Sequence, residues 1–247
     1  MEKVVVLLRG PVPDEAWCAA LRGTVAAEIL ALGVPGLAVN VRDEAVRDSL
    51  MTLTTMDPPV VAVVSLWTQQ SYGAQIDAVL TLLAKQCHST AAYLVTESVP
   101  LVPPPTEPGQ RTAGLANVAL LRRPARLDEA TWLRRWQIDH TPVAIETQAT
   151  FGYTQNVVVR ALTPDAPAIH GVVEELFPAA AISDLRAFFG AADDTDLQDR
   201  MKRMVASTTA FGATVDIDTV PTSCYVWRSP FVTQQARSTV ADRACRL

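Results

Sequence analysis

The sequence predicts an α+β protein in which two ferredoxin-like βαββαβ units pack sheet to sheet as one pseudo-symmetric α/β barrel. Three observations predict it. First, the chain repeats itself. Val6-Leu-Leu-Arg-Gly-Pro11 reads against Ala119-Leu-Leu-Arg-Arg-Pro124, and each hexad is followed by an Asp-Glu pair (Asp14-Glu15, Asp128-Glu129) and a tryptophan (Trp17, Trp132). Val39-Asn40-Val41 then matches Gln155-Asn156-Val157, and Ala92-Tyr93-Leu94-Val95 matches Cys224-Tyr225-Val226-Trp227. Second, the apolar pattern of each copy runs β-α-β-β-α-β. Third, the run 60–66 is apolar on both faces, as a sheet covered on both sides requires. A βαββαβ unit carries both helices on one face of its sheet. The bare face of each copy is therefore the natural cover for the other, and closure removes exposed edges.

In the first copy, residues 4–8 form a short β-branched strand. A helix follows over 14–32, with Pro13 before it and Gly33 as its stop. Strands lie at 37–41 and 60–67. A second helix spans 72–87 with Ile76, Val79, Leu80 and Leu83 on one face, and a strand at 91–97 closes the unit. The polar stretch 103–114, which opens Pro103-Pro-Pro-Thr-Glu-Pro-Gly, is a linker. In the second copy, strands fall at 115–121, 151–160, 171–177 and 223–228, and the first helix runs from 128 to about 149. The second crossover is broken into helices at 182–189 and 197–206. The domain organisation is thus an N-terminal unit 1–102, a linker 103–114, a C-terminal unit 115–228 and a tail 229–247.

Composition narrows the function. Of 247 residues, 49% are hydrophobic and 19% charged, too apolar for intrinsic disorder. No apolar run is long enough to span a bilayer, and no basic segment with a cleavage site opens the chain, so a soluble cytoplasmic protein is expected. A net charge of −5 without a basic stripe argues against nucleic acid. Cys18, Cys87, Cys224 and Cys245 are scattered, with no metal-ligand spacing, and are expected to be inert thiols. Asp193-Asp194-Thr-Asp196 suits a helix cap better than a calcium loop. Glycine-rich nucleotide loops and nucleophile elbows are lacking, so nicotinamide, nucleotide and serine-hydrolase chemistries fall away.

Proton chemistry near neutral pH rests on three histidines, His88, His140 and His170. The second copy is richer in aromatics, which favours it for a cavity. There Trp132, Trp136 and His140 stand at i, i+4 and i+8, with His140 beside a kink at Pro142 whose partner carbonyl is Ile138, one turn earlier. The corresponding stretch of the first copy, Gly23-Thr24-Val25, has no histidine. His140 is the expected general acid/base, with Trp132 and Trp136 stacking on a substrate. Tyr153 or Asn156 would donate to a developing enolate or phenolate oxygen, although Asn40 at the matching place gives Asn156 a structural alternative. Glu174 and Glu175 are neighbours on a strand, so one faces inward. An inward carboxylate would have a raised pKa and act as a base, the role expected of Glu174. Phe177 and His170 are candidate cavity residues, and His88 has no assigned role.

Trp136-x-x-x-His140-x-Pro142 preceded by Leu133, followed by Phe151-Gly-Tyr153-Thr-Gln-Asn156, resembles the signature of EthD-type proteins of the dimeric α/β-barrel superfamily. The strand His170-Gly171-Val-Val-Glu174-Glu175-Leu-Phe177 continues the likeness, with His170 where aspartate is common. The resemblance covers 115–228; the first copy shares only the fold pattern. It implies relatives that are cofactor-free cyclases, decarboxylases, isomerases and monooxygenases of aromatic or polyketide-like molecules, and others that bind haem. The leading expectation is a cofactor-free enzyme, of lyase, isomerase or cyclase type, using histidine acid/base chemistry on a hydrophobic carbonyl-bearing or phenolic molecule. The alternatives are a non-catalytic binding or accessory protein of an oxygenase pathway, and a haem-dependent enzyme. No metal, nucleic-acid or membrane partner is expected. The assembly is expected to be a monomer with an internal pseudo-dimer, or a homodimer.

Overall fold

A computed structural model describes residues 1–231. Eight strands, β1 (Glu2–Arg9), β2 (Gly36–Val41), β3 (Val60–Thr68), β4 (Ser89–Leu101), β5 (Leu115–Leu121), β6 (Gly152–Ala161), β7 (Gly171–Phe177) and β8 (Asp218–Arg228), form one closed barrel. Its order is β1-β3-β2-β8-β5-β7-β6-β4, with every neighbouring pair antiparallel. Strands β1–β4 and β5–β8 thus each supply an arc of order 4-1-3-2. The arcs join along β2·β8 and β4·β6, where Asn40 lies opposite Cys224 and Glu97 opposite Asn156. This is the α+β barrel that the alternating patterns predict.

Alternation sets the two faces of each strand. Val5 and Leu7 of β1 turn into the barrel with Val63, Tyr93, Val95, Val118, Leu120, Val172 and Val220. Val4, Val6 and Leu8 turn outward against helices of the first repeat. Those helices are α1, a continuous run of Glu15–Ala20, a π-helical turn Leu21–Val25 and Ala26–Ala31, and α2 (Ala74–Ala84). The second repeat carries α3, built likewise from Glu129–Leu133, a π-helical turn Arg134–His140 and Thr141–Thr147. A 3-10 turn Ala179–Ile182, α4 (Leu185–Phe189) and α5 (Asp194–Phe211) follow. Asp193 caps α5 by accepting the Asp196 amide at 2.9 Å, as its composition suggested.

Two expectations are corrected. Strand β8 begins at Asp218 rather than at 223: its first residues pair with β5 straight through Pro221, whose missing amide interrupts the strand pattern in the sequence but not the pairing. The match of Tyr93 with Tyr225 is not structural. Tyr93 lies inside the barrel opposite Val5, whereas Val118, the counterpart of Val5, lies opposite Val220. Tyr225 faces outward, its hydroxyl donating to Asp43 at 3.3 Å. Asn40 and Asn156, by contrast, occupy equivalent places, opposite Val63 and Val172. The stretch 103–114 is pinned to β8, with the Gly109 and Thr112 amides donating to Val226 and Cys224 carbonyls at 2.9 and 2.8 Å. Of the tail, Pro230 packs on Gly36 and Phe231 meets Trp67 edge-on at 6.3 Å, and the remainder lies outside the described residues.

Candidate functional site

The second repeat's aromatic stripe lies between α3 and the outer face of its sheet. Asp128 caps α3 by accepting the Thr131 amide at 2.8 Å. The π-helical turn then rotates Trp136 and His140 onto the buried side. The Thr141 hydroxyl donates to the Trp136 carbonyl at 3.2 Å and accepts from Gln155 Nε2 at 2.7 Å. Trp132 and Trp136 pack ring to ring at 5.0 Å, fully buried above Gly171, where a Cβ would stand 2.6 Å from the Trp136 ring. Only glycine lets the indole approach the strand so closely. Tyr153 is buried in the same layer. His140 sits within 2.9 Å of Ser207 Oγ on α5 through its Nδ1 and lies 4.8 Å from the Phe211 ring. Burial pulls its pKa down to about 4, so the imidazole is neutral at physiological pH.

Glu174 and Glu175 do face opposite sides, but with a pKa order opposite to the one expected. Glu174 points into the barrel, where Lys3 Nζ reaches it at 2.9 Å and Glu97 at 2.6 Å. Asn156 and Asn40 donate to Glu174 at 3.0 and 3.3 Å, and Trp67 Nε1 donates to Glu97 at 3.1 Å. Burial alone would raise the pKa of Glu174. The Lys3 ammonium and the two amides outweigh it and hold the carboxyl below its ordinary value. Glu175 lies beneath the second repeat's helices beside Asn117, with no cation on it among the described residues, and burial pushes it up to about 7. Lys3, Glu97, Asn40 and Trp67 were not singled out as partners of Glu174. The one available signal was Lys3 itself, a charge in register with the inward-facing Val5 and Leu7.

A cleft of about 210 Å³ opens beside this layer, lined by Arg123, Glu129, Trp132, Leu133, residues 157–159 and His170. His170 Nδ1 accepts the Arg123 amide at 3.1 Å, so the proton of the neutral ring sits on Nε2. Partial burial, followed by the charge of Arg123, lowers its pKa and keeps it neutral. The Trp132 Nε1–H is buried with no hydrogen-bond partner among the described residues. The expected site residues therefore separate. Trp132 and His170 meet at the cleft, while Trp136, His140 and Tyr153 fill the layer behind it. Asn156 and Glu174 belong to the barrel interior. Phe177 stacks on Phe188 at 4.2 Å in a different cluster.

Among the described residues, no three His, Cys, Asp or Glu side chains converge as a metal site would require, and no helix is long and apolar enough to cross a membrane. No family model matches the chain, and no curated protein matches it either. Solved structures do. An anthrone oxidase-like protein superposes with a TM-score of 0.57 at 10% identity, over 94% of this chain and 96% of that one. A monooxygenase-like protein of Fusobacterium nucleatum follows with a TM-score of 0.48 at 7% identity, over 92% of each chain. A mutant chlorite dismutase of Candidatus Nitrospira defluvii gives 0.43 at 10%, over 90% of each. The first of these likenesses carries the comparison, and at that identity it concerns architecture: the chain has the dimeric α+β-barrel fold, with both arcs supplied by one polypeptide.

Proposed function

We propose that the protein is an acid–base enzyme of lyase, isomerase or cyclase type, working without a cofactor on a small aromatic ketone or phenol in the cleft beside α3. One observation carries the reading: His170, whose proton is fixed on Nε2, lines one cleft with the Glu129 carboxylate and the Trp132 side chain. An imidazole N–H donor suits the charge that grows on a carbonyl oxygen, and a carboxylate suits removal of the neighbouring C–H proton. At about 210 Å³ the cleft suits a single ring. The EthD-like pattern around Trp136 and the architecture shared with an anthrone oxidase-like protein support the choice of an aromatic ligand. In this reading His140 is a positioning residue that ties α3 to α5 through Ser207.

Single-ring ketones such as 4-hydroxyacetophenone, screened by thermal shift and turnover, test the reading. His170→Ala and Trp132→Phe should abolish the ligand-induced shift. Glu129→Gln should retain binding and lose about 10²–10⁴-fold in turnover. Folded variants that bind and turn over as the wild type does would overturn it. A second reading, a carrier or accessory protein, is favoured by the neutral, buried state of His140. Binding that survives all three substitutions without turnover would select it.

A further inference from the structure

A second cleft, of about 460 Å³, lies in the first repeat, far in sequence from the residues used above. It opens where the loop after β1 (Gly10, Pro11, Val12, Pro13) faces the turn between α2 and β4 (Lys85, Gln86, Cys87, His88), with the Trp17 indole and Val61 as further walls. Its volume falls in the range of small-molecule pockets. The walls are pre-formed. The Trp17 indole N–H donates to the Gln86 carbonyl at 2.6 Å, which fastens α1 to the opposite turn. The Gly10 amide donates to the Pro59 carbonyl at 3.0 Å, and the Cys87 thiol to the Ser89 carbonyl at 3.2 Å. Pro11 and Pro13 fix φ in the facing loop.

The polar groups at this cleft are unequally engaged. The Asp14 carboxylate is occupied at the N-terminus of α1, where it accepts the Trp17 amide at 2.8 Å. Lys85 and His88, by contrast, have no side-chain hydrogen bond or ion pair among the described residues, and both line the cleft. A cation and an imidazole left free beside an indole and two prolines complement one chemistry: a planar aromatic ring that ends in a carboxylate. The structure assigns this cleft as a binding site for an aromatic carboxylate, its ring against Trp17 and the prolines and its carboxylate on Lys85 and His88. The site is independent of the function proposed for the second repeat.

Cys87 supplies a local reporter, because its half-buried thiol lines the cleft. Because burial raises the Cys87 thiol, wild-type protein is alkylated at about pH 9.5, with naphthoate or the neutral naphthamide present, and Cys87 is followed by peptide-resolved mass spectrometry. Naphthoate at tenfold its dissociation constant should slow Cys87 alkylation about tenfold. Lys85→Met and Lys85→Gln, both at an exposed position, should raise the half-protecting concentration about tenfold. Naphthamide should protect far less, and His170→Ala should leave protection unchanged. An unaltered Cys87 rate at millimolar naphthoate would overturn the assignment. Equal protection by naphthamide, indifference to both Lys85 variants, or loss of protection in His170→Ala would overturn it too.

Discussion

Glu175 shows how one buried carboxyl sets a pH dependence for the whole fold. Its pKa rises to about 7 because burial strips water from the charge and no cation among the described residues replaces it. The folded state therefore holds the proton more tightly than the unfolded chain does. Its stabilising contribution is complete below the ordinary value of 4.5 and is lost as pH rises through about 7. The loss amounts to at most about 3 kcal/mol at high pH. His140 works in the opposite sense. Its pKa is lowered from 6.5 to about 4, so its contribution is present above 6.5 and fades as pH falls toward 4. Urea unfolding of wild type and Glu175→Gln at pH 5 and pH 8.5 separates the two groups. The variant should gain roughly 1–3 kcal/mol over wild type at the higher pH and little at the lower. An equal difference at both would remove Glu175 as the source. Alternation along β7 made it legible that Glu174 and Glu175 part company across the sheet. Which of them would be raised was not legible, because the cation that decides it, Lys3, lies 171 residues away along the chain.

At the scale of elements, the π-helical turns mark where local pattern gave way to packing. Pro142 predicts a disturbance after His140, since it removes the amide that would bond the carbonyl at Ile138. Ile138 itself is 67% exposed, at the outer side of the turn. Yet α1 has the same turn at Leu21–Val25 with no proline near it, so the widening belongs to how both helices cross their sheets. What distinguishes α3 is the chain of bonds from Gln155 through Thr141 to the Trp136 carbonyl. Thr141→Val should leave the Gln155 amide buried without an acceptor and cost about 1–3 kcal/mol. Thr141→Ser should recover most of it, and a urea midpoint that ignores the hydroxyl would refute the arrangement. Strands β5 and β7 fall on the same residues that the apolar runs mark out, because each is short, apolar and bounded by turn residues. Elements bounded by proline were harder. In β8 the ladder runs through Pro221, where the pattern of donors, and hence the strand signal, is interrupted.

For the molecule as a whole, closure within one chain makes the barrel interior a meeting point of both repeats. Lys3, Asn40, Trp67 and Glu97 come from the first, and Asn156, Glu174 and Thr222 from the second. Both matching asparagines donate to the same carboxylate, so two equivalent positions of the two repeats serve one residue present in a single copy. The side chain of Lys3 is 4% exposed and that of Glu174 19% exposed, which places the pair where an uncompensated charge is expensive. Lys3→Met should therefore leave two carboxylates without their cation and destabilise the fold by roughly 3–5 kcal/mol at neutral pH. The pH profile should change as well. In wild type, Glu174 is held below its ordinary value, so its contribution is present above about 4.5 and lost as pH falls. Without Lys3 the same carboxyl is raised by burial. The variant should then gain stability as pH falls from 8 toward 5, against the wild-type trend for this group. Adding Glu174→Gln to Lys3→Met should recover part of the loss at pH 8 and flatten the profile. A double variant no more stable than the single one would show that the two arcs are held by their seams and apolar layers alone.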